Sequence, residues 1–183
     1  MRRGGIAAVA ILGAGVALAG GWAIRGDNSS GAGQSSGPVG PAESGWLVSR
    51  IVDGDTLVVT RAGQRQRVRL IGIDTPESVR PGAPVECFGP ESAEFAASAL
   101  QGREVTLEAD PSQGELDAYD RRLAYVWYSA NPGQQTLFNA QAIEAGMARE
   151  YTFAEAYQWR DEFLAAQDAA QSAGRGLWGA CSA

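Results

Sequence analysis

The chain has 183 residues, a formal net charge of −6, no histidine, and fifteen basic residues that are all arginine. The missing histidine excludes Ser-His-Asp and Cys-His triads and histidine-ligated zinc, and the missing lysine excludes a phosphate-loop lysine and Schiff-base chemistry. An enzyme with this inventory works with carboxylates, arginines, tyrosines and a hard metal ion, and any anionic polymer must be held by a local group of arginines rather than by the overall field.

Residues 4–24 are almost continuously apolar or small, preceded by Arg2 and Arg3 and followed by Arg25 and Asp27. With the small-residue triplet Ala17-Leu18-Ala19, this fits a secretory signal peptide cleaved after Ala19. The alternative is an uncleaved N-terminal membrane anchor, weakened by the six glycines in the stretch. Residues 1–25 are therefore expected to be a signal peptide or an anchor, and on either reading the remainder is secreted or extracytoplasmic. Residues 26–45, rich in Gly, Ser, Pro and Asn, are expected to form a disordered linker. The folded domain is expected to occupy 46–183, which is long enough for one core.

Within it, β-rich stretches come first. Trp46–Val52, Thr56–Thr60 and Arg65–Ile73 are separated by the tight turns Asp53-Gly54-Asp55 and Ala62-Gly63-Gln64 and read as a meander. A proline-bearing loop over 78–88 precedes a helix near Pro90–Leu100, with Pro90 suited to its first turn. Two more strands come next, Glu104–Glu108 and Arg122–Tyr128. Helices are expected over about Thr136–Ala145 and Phe153–Ala173. In the second, Phe153, Ala156, Tyr157, Phe163 and Leu164 recur at helical spacing and Gly174 closes it. Five strands interrupted and followed by three helices give an α+β fold with a mainly β core, a small closed barrel of the OB type.

Singly, the polar motifs are ordinary. Asp53-Gly54-Asp55 is turn chemistry, and Asp74-Thr75-Pro76-Glu77 suits a turn or cap. Arg69 is odder, since an arginine beside Leu70, Ile71 and Ile73 needs an anionic partner or an exposed face. Arg121 starts a strand next to Arg122. In a meander, however, the turn bearing Asp55 and the strand end bearing Asp74 converge. Two carboxylates plus a backbone carbonyl make a hard oxygen site for Ca²⁺, completed by water. Glu77 lies near enough to orient a water there, and Arg69 and Arg121 offer planar forks for phosphate oxygens. These are the parts that phosphodiester hydrolysis needs.

The runs Ile51-Val-Asp-Gly-Asp-Thr-Leu57, Val68-Arg-Leu-Ile-Gly-Ile-Asp-Thr-Pro-Glu77 and Asp117-Ala-Tyr-Asp-Arg-Arg-Leu-Ala-Tyr125 resemble the staphylococcal nuclease (thermonuclease-like) family. So do Phe88-Gly-Pro-Glu-Ser92 and Gly176-Leu-Trp178. The resemblance implies a five-stranded OB barrel with three helices. It implies Asp55, Asp74 and the Thr75 carbonyl as Ca²⁺ ligands, with Asp53 as the acidic neighbour that shapes the metal site. Glu77 matches the general base or water-positioning carboxylate, Arg69 and Arg121 the phosphate-binding arginines, and Tyr119 a tyrosine contacting the nucleotide's phosphate. Tyr151 matches a base-stacking aromatic, in a loose register. The implied activity is Ca²⁺-dependent endonucleolytic cleavage of DNA and RNA that leaves 3′-phosphate ends, by a monomer.

Three departures stand out. Asp120 replaces the glycine common before the second arginine, Arg122 replaces a small residue, and the lysines that make some members basic are missing. A non-catalytic module binding nucleic acid or protein is the alternative, and a calcium-binding structural domain a third reading. Against both, the carboxylate and arginine set is complete. Cys87 and Cys181, an even count in an exported chain, are expected to form a disulfide, the alternative being two unpaired thiols.

Overall fold

Alternation of side chains builds the sheet. In Trp46-Leu47-Val48-Ser49 the first and third residues are buried and the second and fourth exposed, the period of a strand with one face on the core. The computed structural model, which describes residues 37–78, 82, 84–153 and 155–181, contains β1 (Ala42–Ile51), β2 (Thr56–Arg61), β3 (Gln64–Leu70), β4 (Ile73–Asp74) and α1 (Gly89–Leu100). Then come β5 (Glu104–Glu108), β6 (Arg122–Asn131), β7 (Gln134–Leu137), α2 (Phe138–Glu144), β8 (Arg149–Glu150), α3 (Arg160–Ser172) and the single turn α4 (Leu177–Ala180).

The strand order is β3-β2-β1-β5-β6-β7, and β3 also pairs in parallel with β6 through Val68–Arg122, Arg69–Leu123 and Leu70–Ala124. That pairing closes β3, β2, β1, β5 and β6 into a five-stranded ring, the expected OB-type barrel. Leu57, Val59, Val68, Leu70, Leu107 and Val126 fill it, and α1 and α3 cover it with Ala96, Leu100 and Phe163. No helix among the described residues is long and apolar enough to cross a membrane.

The structure corrects the expected boundaries at several points. The apolar segment 1–25 and residues 26–36 lie outside the described residues, but the end of the expected linker is ordered. Strand β1 begins at Ala42, paired with Glu108 of β5, and Val39 N–H donates to the buried Glu108 carboxylate at 2.8 Å. Backbone pairing of this kind needs no apolar side chains, so composition does not reveal it. Strand β3 ends at Leu70, not Ile73. The chain turns at Gly72 (φ 77°) into β4, which pairs with β8. Residues 134–137 form a strand on β6, so the helix expected from about Thr136 begins at Phe138 instead. Helix α3 begins at Arg160, not Phe153. Ahead of it, the buried Tyr157 hydroxyl donates to Glu150 at 2.9 Å, and Asp110 Oδ2 accepts the Gln158 N–H at 2.8 Å. These long-range bonds outweigh helical periodicity.

Cys87 and Cys181 are joined in a disulfide with their Cα atoms 5.9 Å apart, as expected. It ties the residue just ahead of α1 to the end of the described chain.

Asn139, fully buried in α2, bridges two barrel elements. Its Oδ1 accepts Val126 N–H and its Nδ2 donates to Ile71 O, both at 2.9 Å. An Asn139→Ala substitution strands two buried backbone groups, each worth about 1–3 kcal/mol. The expected loss of about 2–4 kcal/mol is checked by urea unfolding against wild type; a loss below about 0.5 kcal/mol would contradict the bridging role.

Candidate active site

Three chain segments meet at one mouth of the barrel: the β1–β2 turn, the β3–β4 corner with residues 75–77 after it, and the loop before β6. In the first, Val52 and Asp53 N–H both donate to Thr56 O, at 2.8 and 3.2 Å, and Asp55 N–H donates to Asp53 Oδ1 at 3.2 Å. The turn folds Asp55 inward, 2% exposed. Its Oδ2 accepts Thr75 N–H at 3.0 Å and Thr75 Oγ1–H at 3.1 Å, while Oδ1 accepts the Thr56 hydroxyl at 3.0 Å and pairs with Arg69 Nη1. Gly54 permits this nesting, because a Cβ there would lie 2.7 Å from Thr75 Cγ2.

Arg69 is the hub. Besides Asp55, its Nη2 donates to Asp74 Oδ1 at 2.9 Å and to Ile73 O at 3.2 Å. The two acidic motifs, about twenty residues apart in the chain, thus share one guanidinium. Burial alone would lower the Arg69 pKa, but the Asp55 and Asp74 carboxylates outweigh it and raise it. Burial, and next the charge of Asp55, push the Asp53 carboxyl up to about 7.

Arg121 enters from the position just before β6. Its Nε donates to Asp117 Oδ2 at 2.6 Å and its Nη1 to Thr56 Oγ1 at 3.3 Å. Asp117 Oδ1 in turn accepts the backbone N–H of Tyr119 (2.8 Å) and Arg121 (3.0 Å). Burial raises the Asp117 carboxyl, but these bonds and the guanidinium outweigh it and hold it below the usual range. Arg122 turns away to Glu43 and over the Trp46 ring, so Arg121 is the member of the doublet at this site.

Glu77 is held through its backbone. Its N–H donates to Glu86 Oε2 at 3.1 Å and its carbonyl accepts Glu86 N–H at 2.9 Å. Gly89 packs against the same carbonyl, where a Cβ would lie 2.5 Å from the oxygen.

Asp53, Asp55, Arg69, Asp74, Thr75, Glu77 and Arg121 all line one polar cavity of about 210 Å³. Tyr119 and Tyr151 line a second, adjoining cavity of about 540 Å³ that shares Arg69, Asp74 and Arg121 with the first. The Arg121 guanidinium sits 5.4 Å from the Tyr119 ring, and Tyr151 lies 6.4 Å from Phe153. Sequence reasoning missed Asp117, Thr56, Glu86 and Phe153. Asp117 had a signal in its four-residue spacing from Arg121; Glu86 had none.

The donor set is all oxygen and suits a hard cation. No three acidic or sulfur side chains among the described residues are close enough to cage a metal ion. A cation here would rest on two carboxylates, Asp55 and Asp74, with backbone carbonyl and water. Burial is the main cause of the raised Asp53 carboxyl; added positive charge would offset only the smaller contribution from Asp55.

The family model for staphylococcal nuclease homologues matches residues 67–180. The thermonuclease of Staphylococcus hyicus is 36% identical over 149 residues, 81% of this chain and 84% of that protein. The chain belongs to the staphylococcal nuclease family. The Staphylococcus intermedius thermonuclease is 37% identical over 133 residues, 73% of this chain and 75% of that protein, and endonuclease YncB of Bacillus subtilis is 29% identical over 132 residues, 72% and 60%. Against the usual staphylococcal nuclease pattern, Asp120 in place of glycine is accommodated by its backbone. It sits at φ 56°, a region that aspartate enters more readily than most residues.

Proposed function

We propose that the protein is an exported, Ca²⁺-dependent endonuclease that hydrolyses phosphodiester bonds of DNA and RNA and leaves 3′-phosphate ends. The observation that carries this reading is that Asp55, Asp74, Glu77, Arg69 and Arg121 line the same cavity, each with the chemistry its role requires. Export is supported by the signal-like residues 4–24 and by the Cys87–Cys181 disulfide, a bond that persists in oxidising compartments.

Asp55, Asp74 and the Thr75 carbonyl would hold the calcium ion, which when bound polarises a phosphoryl oxygen and neutralises charge developing at phosphorus. Arg121 presents its outer edge to the phosphate. Its Nε is fixed by Asp117, while Nη2 has no hydrogen-bond partner among the described residues. Arg69 approaches with the donors that Asp55, Asp74 and Ile73 leave unused. Glu77 takes a proton from the attacking water as its oxygen bonds to phosphorus. The bond to the 5′-oxygen breaks, and that oxygen takes up a proton from solvent water and leaves as a hydroxyl. Tyr119 and Tyr151 flank the nucleotide.

The full chain, incubated with single-stranded DNA, is expected to cleave it in Ca²⁺ and not in EGTA. Asp55→Asn is expected to raise the calcium concentration required by at least tenfold, the scale on which altered metal-site residues act. Undiminished cleavage in EGTA would remove the calcium assignment. Failure of the intact chain to cleave would favour the non-catalytic binding module.

A further inference from the structure

Three of the described arginines, Arg50, Arg65 and Arg67, have side chains with no ion pair, hydrogen bond or ring partner among the described residues, and all three are exposed. The others are engaged. Arg61 and Arg122 meet Glu43, Arg69 meets Asp55 and Asp74, and Arg121 meets Asp117. Arg103 and Arg149 lie over rings, while Arg160 and Arg175 donate to Thr152 and to a backbone carbonyl.

The unpartnered three fall on one surface. Arg65, Arg67 and Arg69 occupy alternate positions of β3, so they point to the same side, while Val68 and Leu70 between and beyond them point into the barrel. Successive arginines in this row are about 7 Å apart along the strand. Arg50 stands in register with Val58 of β2, and Val58 stands in register with Arg67. Arg50 is thus two strands, or about 10 Å, to the side of Arg67. The hairpin from Thr56 to Leu70 contains no acidic residue. Unneutralised like charges at this spacing repel, and in a chain of net charge −6 acids are available to relieve them, yet none among the described residues pairs with Arg50, Arg65 or Arg67.

We infer that this outer face of the β2–β3 hairpin is a phosphate track, binding the backbone of a polynucleotide strand that continues from Arg69 over Arg67 and Arg65, with Arg50 alongside. The row begins at Arg69, which lines both cavities, and leads straight out along the strand. An extended single strand presents its phosphates at a repeat of the same order, and a regular line of guanidiniums matches it without reading bases. The track supplies the local basic surface that the overall charge denies, and it makes the substrate a polymer rather than a short fragment. The inference rests on the nuclease reading for the direction of the strand, but its binding test does not require cleavage.

The test uses the full chain and a fluorescein-labelled single-stranded oligonucleotide of about 20 nucleotides, followed by anisotropy in EDTA between 50 and 200 mM salt. Wild type is compared with Arg65→Gln/Arg67→Gln and with Arg103→Gln/Arg175→Gln, which removes equal charge elsewhere. The track variant is expected to bind about tenfold more weakly at low salt, with the slope of log Kd against log salt reduced by about 1.4 for two lost phosphate contacts. In Ca²⁺, its cleavage of a dinucleotide is expected to equal wild type while its KM for the long strand rises. Unchanged binding in the track variant, an equal loss in the control pair, or no measurable binding by wild type would each overturn the track. A wild type that binds through these arginines but cleaves nothing would overturn the nuclease reading and leave the track standing.

Discussion

Glu77→Ala is expected to slow phosphodiester cleavage by at least about 100-fold, the scale for losing a general base, while leaving the calcium requirement within a few-fold of wild type. The two halves of this expectation come from different atoms. Calcium is proposed to rest on Asp55, Asp74 and the Thr75 carbonyl, and Asp55 is fixed by Thr56, Thr75 and Arg69 without help from Glu77. Glu77 reaches the same cavity from the next turn of chain, its backbone clamped to Glu86 by two hydrogen bonds and backed by Gly89. Those constraints act on the main chain and survive truncation of the side chain, so the loss should appear in kcat rather than in substrate affinity. Asp55→Asn should do the reverse, raising the calcium requirement first. The measurement is kcat for a single-stranded DNA substrate across a calcium titration for both variants, with a thermal melt to confirm folding. A Glu77→Ala enzyme within threefold of wild type would remove Glu77 from the chemistry. A large shift in its calcium midpoint would instead make it a metal ligand.

The grouping of these residues in one place was more legible in the sequence than parts of the fold. A meander is enough to bring the turn bearing Asp55 to the strand end bearing Asp74, Arg69 is out of place among apolar residues, and Glu77 and Arg121 join them through the match to the family motifs; all five line one cavity. The barrel strands were legible because Val68 and Leu70 alternate with arginines. What could not be read depends on bonds across long separations. Tyr157 is held out of a helix by Glu150 and by Gly72 O, 85 residues away. The segment at Val39 is ordered by Glu108, 69 residues on. Helical periodicity before Arg160 and linker-like composition before Trp46 were accurate descriptions of local preference, and local preference lost. Glu86 belongs with these. Nothing in a proline-bearing loop announces that one carboxylate will bind the backbone N–H of a residue nine positions earlier.

Reduction of the Cys87–Cys181 bond is expected to lower stability by about 2–4 kcal/mol, with about 4.7 kcal/mol as the chain-entropy ceiling for a loop of this size. The crosslink spans 94 residues and encloses α1, both cavity-forming loops downstream of it, and α3, so without it the unfolded chain regains the freedom of more than half its described length. For a chain of this length each kcal/mol moves the melting temperature by about 2–4 °C, and Cys87→Ser/Cys181→Ser should therefore melt roughly 5–15 °C below wild type. The folded state keeps other ties at that end: Leu177 is buried, its N–H donates to Gly146 O at 2.9 Å, and Cys181 N–H donates to Leu177 O at 3.0 Å. The variant should consequently still fold at 25 °C. Its activity is the more informative reading, because Cys87 directly follows Glu86, the residue that clamps Glu77. Releasing the crosslink loosens the segment carrying Glu86, so kcat at 25 °C should fall by a few-fold with the calcium requirement unchanged, a weak version of the Glu77→Ala phenotype and not of Asp55→Asn. Equal melting temperatures for wild type with and without reductant would refute the stabilising role. A reduced enzyme that melts lower but turns over at the wild-type rate would confine the bond to stability and separate it from the carboxylate it adjoins.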